Sequence, residues 1–180
     1  MAQPVSDNAV IPVSVTLNSI LRLTVVTGGN IEFVVNTLDQ YSNGIVNSPV
    51  TTTNFTVASS VDFDVTLQAE DGNFIGTDNP AHTIPLDNVG YTVAKNAAGT
   101  GTAGTTWTLS SLAALTNAAV TGVNGAVGLS AGNSTQNNFD IQWELATPGL
   151  IGVTGESTLL AQNVQPDRYV TNVLIQLVGK

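Results

Sequence analysis

Val61-Asp62-Phe63-Asp64-Val65-Thr66-Leu67-Gln68-Ala69 carries an apolar residue at every odd position and a polar one at every even position. Successive side chains of an extended chain point to opposite faces, so this spacing predicts a strand with one buried face and one wet face. It closes at Glu70-Asp71-Gly72-Asn73, where Asp-Gly marks a turn.

The same period runs outward in both directions. Upstream, Ile11, Val13, Val15 and Leu17 alternate with Pro12, Ser14 and Thr16, so residues 10–17 predict a strand beginning at Val10. Leu21, Leu23 and Val25 follow, then Ile31, Phe33 and Val35. Opposed residues of an antiparallel hairpin share a face, so a three-residue loop over Gly28, Gly29 and Asn30 sets Val25 against Phe33 and predicts a hairpin. Residues 39–53 are turn-rich and read as a surface loop with at most one short strand.

Downstream, residues 54–58, 84–86, 89–94, 107–109, 139–145 and 158–161 predict further strands. The last runs from Tyr169 to Val178. It has Val173, Ile175 and Leu177 on one face and Val170, Leu174 and Val178 on the other, which predicts a central strand or one covered by another chain. Leu112, Leu115 and Ala119 fall at helical spacing and predict one short helix over residues 110–120. The small, Gly-rich residues 97–106 read as a mobile loop. Many short strands and almost no helix predict an all-β chain: one antiparallel β-sandwich, Ig-like or jelly-roll, spanning residues 1–180, with a barrel as the main alternative.

Charged residues are only 9% of the 180, against roughly 25% in ordinary domains, and the surface is left to Thr, Asn, Ser, Gln and Gly. Four basic residues against thirteen acidic ones give a net charge of −9, which repels a phosphate backbone and argues against nucleic acid. Sparse charge also means little repulsion between copies, which favours self-association. The absence of cysteine excludes a disulfide framework and a thiolate metal site. No apolar run is long enough to predict a membrane-spanning helix. Met1-Ala2-Gln3 lacks the features of a signal peptide but resembles what its cleavage leaves, predicting a mature secreted chain with an added Met.

Several strings resemble catalytic motifs and fail their context. Gly99, Gly101 and Gly104 match G-x-G-x-x-G, but a strand pattern follows where a dinucleotide site needs a helix. Gly128-Leu129-Ser130-Ala131-Gly132 matches G-x-S-x-G, yet no helix follows, and the single histidine, His82, lies upstream of the serine. No enzyme and no cofactor is therefore expected. Asp62, Asp64, Asp71 and Asp78 present oxygen ligands of the kind that hold calcium, and a solvated acidic face explains the same residues. Trp107, Trp143 and Tyr91 could form a platform for a surface glycan, although Trp143 shares the apolar face of its strand. Asn54-Phe55-Thr56 and Asn133-Ser134-Thr135 fit the N-glycosylation pattern, which chance also supplies in a chain rich in Asn and Thr.

Residues 163–173, Asn-Val-Gln-Pro-Asp-Arg-Tyr-Val-Thr-Asn-Val, resemble the closing strand of bacterial spore coat U and pilin-like fibre subunits. Residues 84–93 resemble it too, and residues 19–33 are similar to secreted filament or surface proteins of Bacteroidota. The resemblance implies a secreted β-sandwich fibre subunit at the cell surface and carries over no catalytic residue. The chain departs from disulfide-bearing pilins in having no Cys.

The expected function is therefore a structural subunit that polymerises with copies of itself into a filament, fibre or tube. Residues 1–18 form a candidate donor strand: residues 1–8 are a polar tether, and Pro12 suits an edge. The expected assembly interface is Val10, Ile11, Val13, Val15 and Leu17 with Val170, Leu174 and Val178. A non-catalytic surface-binding module, for carbohydrate or host adhesion, and a phage or virus capsid or tail subunit are the alternatives.

Overall fold

The computed structural model describes residues 11–180. Its strands are β1 (Leu21–Thr27), β2 (Thr52–Ser59), β3 (Phe63–Ala69), β4 (Asn73–Gly76), β5 (Thr83–Pro85), β6 (Val89–Lys95), β7 (Trp107–Leu109), β8 (Ala113–Ala114), β9 (Val120–Gly125), β10 (Gly132–Leu145), β11 (Tyr169–Val170) and β12 (Val173–Gly179). Two short helices, α1 (Leu38–Asn43) and α2 (Pro148–Thr154), interrupt them. The strands pair antiparallel in three sheets, ordered β1-β2-β10-β6-β8, β12-β3-β9-β7 and β11-β4-β5.

The alternation of residues 61–69 is realised directly. In β3 every odd residue from Phe63 to Ala69 is buried and every even one is half-exposed. Phe63, Val65 and Leu67 face Phe55 and Val57 of β2, Tyr91 and Val93 of β6, and Phe139, Ile141 and Trp143 of β10 in one hydrophobic core. The five- and four-stranded sheets thus close on each other as a sandwich. Removing such side chains from water is the main favourable contribution to the fold. Two of the buried polar side chains are linked through the core: Trp107 Nε1 donates to Asn137 Oδ1 at 2.8 Å, and Asn137 Nδ2 donates to the Ser130 carbonyl at 3.1 Å.

Several expectations are corrected. There is no helix over residues 110–120: Ala113 and Ala114 form β8 opposite Tyr91 and Gly90. Leu115 sends its N–H to the Val89 carbonyl at 2.8 Å and its side chain into the core. The open edge of β6 offers backbone partners that a marginal helix of this length cannot outbid. The hairpin about residues 28–30 is also absent. β1 pairs with β2, setting Val25 opposite Phe55, and Gly28 at φ +67° turns the chain across the start of β2. A Cβ at Gly28 would lie 2.1 Å from the Thr52 carbonyl oxygen, so the glycine is needed for that close pass.

The predicted closing strand splits. Tyr169 and Val170 pair with β4 in the small sheet, whereas β12 is an edge strand of the sandwich and not a central one. Val170, Leu174 and Val178 lie 43–57% exposed. Residues 11–17 form no strand in the described chain, and Val10 lies outside the described residues.

The loop of residues 97–106 is fastened to β10, with Thr100 N donating to Thr135 O at 3.0 Å and Gly101 N to Gln136 O at 3.1 Å. Residues 39–53 hold α1, whose capping box joins Thr37 to Gln40, and residues 158–161 form a turn.

Candidate assembly surface

β1 begins opposite Ser59 and β12 ends opposite Phe63, so the ends of both edge strands gather at one pole of the sandwich. Ile20 N donates to Ser60 Oγ at 2.8 Å, Ser60 N donates back to the Ile20 carbonyl at 2.9 Å, and Lys180 N donates to the Asp62 carbonyl at 2.8 Å. From this pole the chain preceding Ile20 leaves the body. Ile11, Val13, Val15 and Leu17 are 80–89% exposed, and residues 11–20 enter no ladder among the described residues. Single exposed apolar residues are ordinary; four at strand spacing on one short segment are not.

The same pole is held by carboxylates. Asp62 accepts from the backbone of Gly128 and, at 3.1 and 3.3 Å, from that of Ser130 and Ala131, while Ser130 Oγ donates to it at 2.9 Å. These bonds, that from Gly128 foremost and then the Ser130 hydroxyl, hold the carboxyl below its usual range. Asp64 instead receives Lys180 Nζ at 2.8 Å. Asp71 accepts from Thr171 Oγ1 at 3.1 Å, and Asp78 lies beyond β4, donating its backbone N–H to Asp167. The four calcium candidates are thus engaged separately, and among the described residues no three His, Cys, Asp or Glu side chains converge as a metal site.

At the other pole the edges of β1 and β12 part. Near Leu21 they meet, since a Cβ on Gly179 would lie 3.3 Å from the Leu21 side chain. Toward Val25 and Val173 a cleft of about 710 Å³ opens, floored by Trp143, Leu115 and Leu159 and bounded by residues 28–35 on one side and 164–173 on the other. Its apolar floor belongs to the core, and its rim carries Glu32 and Arg168, whose charged groups approach to 3.8 Å.

The rim past β11 is clasped by Asp167. Its side chain is fully buried and accepts backbone N–H groups of Asp78 at 3.0 Å, Asn79 at 3.1 Å and Arg168 at 2.7 Å. His82 Nδ1 lies 3.0 Å from the same carboxylate and Nε2 lies 3.1 Å from the Asn79 amide. With its hydrogen on Nδ1 the ring donates to Asp167 and accepts from Asn79. The Asp78 N–H, His82 and the two other N–H groups hold the Asp167 carboxyl down at about 2. Sequence reasoning does not reach this pair: 85 positions separate the partners, and only the pairing of β11 with β4 brings them together.

The motif residues have structural roles. Gly101 lies against Trp107, where a Cβ would come within 2.1 Å of the indole, so packing accounts for that glycine. Ser130 is buried on Asp62 and shares no hydrogen-bond partner with His82. Trp107, Trp143 and Tyr91 are at most 5% exposed, so they offer no open platform to a sugar. No protein-family model matches the chain, and no curated protein is similar to it.

Proposed function

We propose that the chain is a structural subunit that assembles with copies of itself into an extracellular filament, fibre or tube, its N-terminal segment acting as a strand donated to the neighbour. The observation that carries this reading is the exposure of Ile11, Val13, Val15 and Leu17 on a segment that joins no described sheet and leaves the body at one pole. An alternating apolar strand in water is a template for pairing with another chain.

The magnitudes set what the contact must contain. Burying four aliphatic side chains gains about 6–12 kcal/mol, at about 1.5–3 kcal/mol each. Association costs about 4–15 kcal/mol in lost freedom of motion, so apolar burial alone roughly breaks even. A backbone ladder or a second contact has to supply the surplus. The exposed outer face of β12, with Leu174 and Val178, and Val170 beside it suits such a contact. A net charge of −9 spread over 180 residues opposes it only weakly at physiological salt.

Negative-stain microscopy and size-exclusion of the pure protein test the reading. Polymers are expected from the full chain of 18.5 kDa, and monomers lighter than that from a chain lacking residues 1–18. Normal polymers from the shortened chain would refute donation of this strand, and a full chain that stays at 18.5 kDa would refute assembly itself.

A further inference from the structure

Residues 30–36 have the alternating burial of a strand but no strand partner among the described residues. Ile31, Phe33 and Val35 pack against the core while Glu32 and Val34 face outward. Among the described residues, however, no backbone hydrogen bond ties residues 30–35 to any sheet. Among the described residues β12, across the cleft, pairs with β3 alone, its second edge meeting no other described strand. Backbone that lies on an apolar core and has no ladder among the described residues is an incomplete arrangement there, and a ladder is what completes it.

Building on the assembly reading above, we propose that the cleft between residues 30–36 and β12 seats residues 11–17 of a second copy, which pair with residues 30–36 and turn their odd side chains toward the core. Three properties of the segment select it as the occupant. It repeats apolar residues with the period of residues 31–35, so an antiparallel register that sets Val13 opposite Phe33 also sets Ile11 opposite Val35 and Val15 opposite Ile31. Residues 11–20 carry no charge, so nothing in them resists entry into an apolar cleft.

Pro12 supplies the third. On an antiparallel strand the N–H and C=O of one residue point to the same side, and alternate residues serve opposite sides. A ladder made by residues 11, 13, 15 and 17 is therefore complete, and the missing N–H of Pro12 falls on the side facing away. The seated strand is thereby a poor template for further pairing on that side.

The geometry also fixes polarity. The segment leaves from the pole of Ile20 and Lys180, whereas the cleft opens toward the opposite pole, at Val25 and Val173. A donor at one end and an acceptor toward the other give a head-to-tail contact that does not close on itself as a dimer.

The chain contains no cysteine, so single thiols report contacts cleanly. Full-length Val15→Cys is mixed in turn with full-length chains carrying Cys at Ile31, Phe33 or Val35, and at Glu32 or Val34, under mild oxidation. The expected result is disulfide-linked heterodimer at one or more odd positions, about tenfold above the even ones, because residues of one parity share a face. Circular dichroism of each variant confirms that it is folded, and a synthetic peptide of residues 11–18 is expected to suppress both cross-linking and polymer growth.

Polymers that need residues 11–17 yet cross-link at no odd position would overturn the cleft as the seat while leaving the assembly reading standing. Monomers without cross-links would overturn both. An intrachain disulfide in the Val15→Cys, Phe33→Cys double variant of a monomeric chain would replace the second copy by the chain's own strand.

Discussion

The indole of Trp107 stands edge-on to the ring of Phe139, with centroids 4.8 Å apart and planes at 73°. Trp107 belongs to the edge strand β7 of one sheet and Phe139 to the central strand β10 of the other, so this contact spans the sandwich. Both rings are fully buried. Trp107→Ala is expected to lower the stability of the subunit by about 3–5 kcal/mol in urea denaturation. The loss includes the Asn137 Oδ1 that the substitution leaves without its indole donor. A change below about 1 kcal/mol would mean that the sheets are held together elsewhere.

Tyr91 makes the opposite case. It is 1% exposed, and its hydroxyl has no hydrogen-bond partner among the described residues. Burial pushes its phenol above the usual range. Tyr91→Phe removes an unsatisfied buried group and keeps the ring on Trp143, so thermal unfolding is expected to show a gain of up to about 1–3 kcal/mol. A lower melting temperature in the variant would reveal a partner for that hydroxyl.

Asp167 makes the cleft rim sensitive to acid. Its folded value of about 2 lies below the ordinary 3.8, so its contribution to stability is present above pH 3.8 and is lost as the pH falls toward 2. Asp167→Asn should flatten the pH dependence of unfolding between those limits. Hydrogen exchange in residues 77–82 and 165–169 should accelerate in the parent chain over the same window. An unchanged pH profile in the variant would show that the clasp plays no part.

Placing charge on the donor segment separates folding from assembly. The Val13→Asp, Val15→Asp double variant alters only exposed side chains, so its melting temperature should correspond to a change within about 0.5 kcal/mol. Its polymerisation should be abolished, because two carboxylates cannot enter an apolar seat without partners. Normal polymers from this variant would exclude the segment from the contact.

The sequence carried the sandwich better than its connections. β3, β6, β7 and the second half of β10 follow from alternation, because each has one face on the core and its burial is set locally by period. Parity alone could not tell whether Val25 meets Phe33 or Phe55, since both are odd and apolar; the choice is made by the chain's path beyond Gly28. The two helices span 6 and 7 residues, too few to display a helical period. Their signals were instead the caps: Thr37 with Gln40, and Thr147 before Pro148 with Gly155 at the far end. Of the assembly surface, residues 11–17 stand out in the sequence as an alternating run, whereas the cleft depends on strands distant in the chain.

The sparse charge of the chain has a last consequence, for its durability. Residues 11–20 contain neither Lys nor Arg, so the nearest target for a trypsin-like protease is Arg22. That residue lies within β1, laddered opposite Ala58. Backbone held in a ladder cannot adopt the open conformation that proteolysis requires without local unfolding. The exposed segment of residues 11–20 is thus one that such enzymes cannot trim while the sandwich stays folded.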